Sequence, residues 1–119
     1  MEALNVITQA AKTNPDSPDV MFSHAILLAL ANRTRDAREV LKTVETRWPE
    51  WDRPYLADGL LLERAEQKVE ARQKLQIASA LGATDPILTC SVARLNGEVP
   101  SPSCACATDL RELLIPSCR

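Results

Sequence analysis

The sequence predicts an all-α fold: a right-handed stack of antiparallel helix pairs, a solenoid of about six or seven helices, ending in a short cysteine-rich cap. Three observations predict it. Apolar residues recur at helical spacing and do not alternate. Prolines and N-cap residues divide the chain into stretches of about 30 residues, too long for one globular helix and suited to a helical hairpin. Matched small and large positions also return at a fixed interval of 34 residues, the mark of a repeat array. The composition agrees, since 119 residues include three glycines and four aromatics (Phe22, Trp48, Trp51 and Tyr55). Few glycines argue against the many tight turns of a sandwich or barrel. Few aromatics leave the core to Leu, Ala, Val and Ile.

The elements follow in order. Ala3, Ile7 and Ala10 set one helical face before the break at Pro15 and Pro18. Residues 19–32 form a helix that is apolar almost all round from Ala25 to Ala31, which requires burial on more than one side. Residues 35–47 form its partner, with Ala37, Val40, Leu41 and Val44 on one face and charges between them. After Pro49 and Pro54 the pattern restarts. Residues 54–65 carry Tyr55, Leu56, Gly59, Leu60, Leu61 and Leu62, and residues 69–81 carry Ala71, Leu75, Ala78 and Leu81. Glu70 and Lys74 are spaced for an i,i+4 ion pair, and Gly82 stops the helix. Pro86 opens a further helix through Ile87, Leu88, Val92 and Leu95. An extended link with a turn covers 96–103, and a short helix is expected at about 108–115. Residues 1–95 are thus read as helical repeats and 96–119 as the cap.

The register is explicit. Pro15 and Pro49, Ala25 and Gly59, Leu28 and Leu62, Ala37 and Ala71, Leu41 and Leu75, and Val44 and Ala78 each lie 34 apart. On these residues the chain resembles the tetratricopeptide repeat (TPR) family over about residues 3–95. That family places a small residue in the first helix of each pair, here Ala25 and Gly59. Large apolar residues flank it, here Met21 and Tyr55 before and Leu28 and Leu62 after. Small, large and small residues follow in the second helix, matched by Ala37, Leu41 and Val44 and by Ala71, Leu75 and Ala78. His24 and Asp58 stand where the family usually has Leu. Ala3, Ile7, Ala10 and Pro15 match the second helix of a preceding unit whose first helix is missing. This suggests the C-terminal piece of a longer protein; the alternative is a complete small protein whose first helix caps the stack.

The resemblance implies a protein-interaction scaffold whose ligand surface is the concave inner face. By position that face includes Phe22, Ile26, Ala29 and Leu30 from one unit and Leu56, Leu60, Glu63 and Arg64 from the next. The family's best-known groove holds a peptide C-terminal carboxylate with Lys and Asn; Phe22 and Ile26 stand at such places, so that clamp is not carried over. An apolar groove with a charged rim suits an amphipathic or extended apolar peptide. The competing reading is that the tail or a flanking chain covers it.

Four cysteines lie in the last 30 residues: Cys90, Cys104, Cys106 and Cys118. The favoured reading is two disulfides, Cys90 with Cys104 or Cys106 and Cys118 with the other, stapling a tail too poor in core to hold itself. A four-cysteine zinc site would show a C-x₂₋₄-C knuckle, and only C-x-C is present. Free thiols are the third possibility. Disulfides imply an exported or periplasmic protein; their absence would imply a cytoplasmic one.

Other functions find little support. His24 is the single histidine, and catalysis would require a partner such as Asp58, its counterpart one repeat on. The bland reading is a pair that satisfies itself. There is no Gly-x-Ser-x-Gly elbow, no phosphate loop and no C-x-x-C-H, so no catalytic residue, cofactor or metal is expected. A net charge of −2 with dispersed basic residues argues against nucleic acid, and the apolar run at 25–31 is too short for a membrane span. Trp48 and Trp51 either pack the corner between units or offer an exposed edge. The first expectation is a module that binds a protein or peptide, with self-association through the N-terminal helix as a further possibility. The alternatives are a structural cap or spacer of a longer solenoid, and an accessory domain of an exported enzyme.

Overall fold

A computed structural model describes residues 2–98, 104 and 110–114. Among them are six α-helices and no strand: α1 (Glu2–Thr13), α2 (Pro18–Leu30), α3 (Thr34–Arg47), α4 (Arg53–Arg64), α5 (Lys68–Ala80) and α6 (Pro86–Leu95). A 3-10 turn, η1, covers Leu110–Leu113.

The helix starts are local. Ser17 caps α2, its Oγ accepting from the Val20 amide at 3.4 Å, and Pro18 occupies the first helical position, where its missing N–H costs nothing. Prolines also sit in the first turns of α4 and α6. The stops recur as one device. After α2, α4, α5 and α6 the second residue beyond the helix has positive φ: Asn32 (62°), Glu66 (61°), Gly82 (96°) and Gly97 (75°). The next amide then bonds back to the final turn: Arg33 to the Leu28 carbonyl, Gln67 to Leu62, Ala83 to Ala78 and Glu98 to Ala93. This satisfies carbonyls the helix end would orphan. Glu66 adopts the left-handed region without glycine's freedom, at a cost of about 1 kcal/mol.

Short turns at 31–33 and 65–67 fold α3 back on α2 and α5 back on α4, and these are the most extensive helix contacts. Gly59 is what lets α4 and α5 approach. A Cβ built there would lie 2.8 Å from Leu75 Cδ2 and 2.9 Å from its Cγ. α4 and α6 run the same way, since Arg53 at the start of one meets Asp85 before the other (3.0 Å) and Glu63 near one end meets Arg94 near the other (2.7 Å). α2 and α4 carry the centre of the core. Ala25, Ile26, Leu56, Ala57, Leu60 and Leu62 are at most 1% exposed, joined by Leu41, Ala71 and Leu75 from the partner helices. Full burial of each large aliphatic side chain contributes about 1.5–3 kcal/mol.

The tail joins this core. Cys90 in α6 and Cys104 form a disulfide with Cα atoms 5.7 Å apart, one of the pairings expected. Cys106 and Cys118 lie outside the described residues. Of the short helix expected over 108–115, the described part is the 3-10 turn η1, which packs on α2 and α4 and buries Leu110 and Leu113. No helix among the described residues is long and apolar enough to cross a membrane. The outer side of α1 leaves Val6 70% exposed.

Candidate functional site

Two places bring functional groups together. The first is the face read from the sequence. Phe22, Ile26, Ala29, Leu56 and Leu60 do lie on α2 and α4, yet they are buried; Leu30 is half-buried, Glu63 is partly buried in an ion pair with Arg94, and Arg64 is exposed. The expected open groove is filled in this structure. The physical reason is η1: Leu110 is 1% and Leu113 3% exposed, and both belong to the same apolar cluster as Phe22, Ile26, Leu56 and Leu60. Arg53 pins the turn. Its guanidinium donates to the Leu113 carbonyl, pairs with Asp85 and lies 6.0 Å from the Phe22 ring centre. Trp51 tilts against Phe22 at 5.3 Å between centroids, an arrangement that adds about 0.5–1.5 kcal/mol beyond burial. Trp51 thus packs the corner, whereas half-buried Trp48 is covered by the Arg47 guanidinium 4.6 Å above its ring.

The second place is a cleft of about 580 Å³ where α3, α4 and α5 meet, lined by Arg38, Glu39, Lys42, Glu45, Asp58 and Lys74 among others. Asp58 is buried and held by two cations: Arg38 Nε at 2.7 Å and Lys74 Nζ at 3.6 Å. Lys74 also reaches Glu45 Oε1 at 2.9 Å. The expected partner of Lys74 was Glu70; a lysine aimed inward reaches two buried carboxylates and does better than on the solvent side of its own helix. The hydrogen bond from Arg38 to Asp58 holds the guanidinium pKa above its ordinary value. Lys74 is raised despite its partial burial, because Glu45 and Asp58 stabilise its charge. Glu45 goes the other way for an acid: burial pushes its pKa up, only partly opposed by Lys74, and its buried Oε2 has no hydrogen-bond partner among the described residues.

His24 and Asp58 do not meet. His24 Nε2 sits 3.4 Å from Thr8 Oγ1 between α1 and α2, and burial, then the charge of Arg33, lower its pKa. Asp58 is saturated by cations from α3 and α5, so neither residue forms an acid–base pair with the other.

The pH consequence of Glu45 is direct. Its folded pKa lies above its unfolded one, so the native state binds more protons in the window from the ordinary glutamate range up to the raised value. Stability falls as pH rises through that window. Chemical denaturation across it should show this slope in the wild type and a flatter profile in Glu45→Gln; identical profiles would contradict the assignment.

The chain matches no protein-family model, no curated protein and no solved structure.

Proposed function

We propose that the chain is a non-catalytic protein-interaction module, a TPR-like solenoid of helix pairs that binds a short apolar segment of a partner on the inner face formed by α2 and α4. One observation carries the reading: that face takes a leucine-bearing turn, buries Leu110 and Leu113, and supplies Arg53 to a backbone carbonyl of the occupant. Leucines from a single turn, together with a side chain that holds backbone, recognise a short segment with little demand on its polar residues. The Cys90–Cys104 disulfide supports work in an oxidising compartment.

A second reading is favoured by the same burial. In it the turn is part of the core itself, which makes the segment a permanent cap and the chain a structural end piece or spacer. The test is selection of peptides from a random library on the full chain, with the contacts mapped by amide and methyl NMR. Selected peptides should perturb Phe22, Leu30, Trp51 and Arg53, and Arg53→Ala should weaken them by about tenfold, the loss of one charge-assisted hydrogen bond. Perturbations confined to the α3–α5 cleft, or no selected peptide at all, would favour the structural reading.

A further inference from the structure

Resting on the inner-face reading, we infer that residues 110–114 are a resident ligand: a tethered occupant that a partner segment with leucines at i, i+3 and i+4 on one helical turn displaces. The sequence here is Leu110-Arg111-Glu112-Leu113-Leu114. In a 3-10 turn the side chains at i and i+3 lie one above the other. Leu110 and Leu113 therefore enter the core together, Leu114 packs against it, and Arg111 is turned to solvent. The occupant itself shows what the face accepts.

Three features make it a ligand in kind. A four-residue turn has almost no stability of its own and depends on what it lies against. Its main contacts are with α2 and α4, and those helices are each secured by a partner helix, α3 and α5, with which they make far more contact. One polar anchor belongs to the receptor, since Arg53 is already oriented by Asp85 at 3.0 Å and keeps that ion when the turn departs.

The disulfide sets how strongly the tail competes. With the bridge formed, the covalent tie to α6 that precedes Leu110 is at Cys104, six positions away (110 − 104). Without it the tie recedes to Glu98, whose amide closes the end of α6, 12 positions away (110 − 98). Effective concentration falls as about the three-halves power of tether length, so the tail's advantage over a partner drops about threefold.

The probe is a fluorescently labelled synthetic peptide, Ala-Thr-Asp-Leu-Arg-Glu-Leu-Leu-Ile, matching residues 107–115, titrated by anisotropy into the full chain. Cys90→Ser with Cys104→Ser should bind it about threefold more tightly than the wild type. Leu110→Ser with Leu113→Ser, which disables the resident turn, should bind it at least about tenfold more tightly. Binding no tighter than wild type by the serine-for-cysteine variant, which keeps both leucines, overturns the proposal. So does a leucine variant that retains its helical circular dichroism and gains no affinity, or one that loses the fold. If library peptides occupy the inner face while these variants gain nothing, the tail is a fixed part of the core and the binding reading stands; if library peptides go elsewhere, that reading fails first.

Discussion

Asp58→Ala is expected to lower the free energy of unfolding by about 3 kcal/mol. The aspartate side chain is 3% exposed and is shared by Arg38 on α3 and Lys74 on α5. Removing it leaves two cations facing one another across the α3–α5 cleft, with Glu45 and the more distant Glu70 left to balance them. Losses on breaking a buried pair run to about 3–5 kcal/mol. The lower end applies because Arg38 and Lys74 are 37% and 29% exposed and water screens part of their repulsion. Arg38→Ala should cost less, because Lys74 still serves Asp58. Urea unfolding at neutral pH checks both; a loss below about 1 kcal/mol for Asp58→Ala would mean that the network is solvated in a way its burial contradicts.

The second large effect is at the α4–α5 contact. Leu75→Ala should cost about 3 kcal/mol, since Leu75 is 1% exposed and its removal leaves a cavity between two helices. Gly59→Ala is the informative companion. Alanine gains about 1 kcal/mol of helix propensity over glycine, but its Cβ meets Leu75 at 2.8 Å, and overpacking of this kind costs about 1–3 kcal/mol. A net loss of about 1 kcal/mol is expected from the balance. In the Leu75→Ala background the obstruction is gone and the same substitution should stabilise. A double-mutant cycle should therefore return a coupling of about 1–2 kcal/mol; additive effects would show that Gly59 is not what admits α5.

The helices were legible because their signals are local. Ser17, Pro18, Pro54 and Pro86 mark starts, and the return of Ala25 as Gly59 and Leu41 as Leu75 marks matched packing positions. The stop at Gly82 was legible for the same reason. The stop at Glu66 was not, because glutamate carries no preference for positive φ; the Gln67 bond to Leu62 fixes it there. The charged cleft was hidden by distance in sequence. Arg38, Glu45, Asp58 and Lys74 come from three helices, and Glu45 read as part of the solvated side of α3 until α5 was laid against it. The residues read as the inner face do lie on α2 and α4, most of them in the core. Cover by the tail was one of the two readings, but which residues provide it was not visible, since Leu110 and Leu113 lie in a stretch too short for a period to be measured.

The ion pairs of that cleft bear on how the molecule comes apart. In an array of helix pairs each unit can in principle melt by itself, held to its neighbour only by surface contact. Here the first pair lends Arg38 and Glu45 to the second, and the second answers with Asp58 and Lys74. Fraying of α3 would remove Arg38 and Glu45 together and leave Asp58 to Lys74 alone, so a half-melted chain carries a penalty that neither the intact nor the fully unfolded chain bears. The exchange of charges across the boundary ties two modular units into one cooperative melting unit.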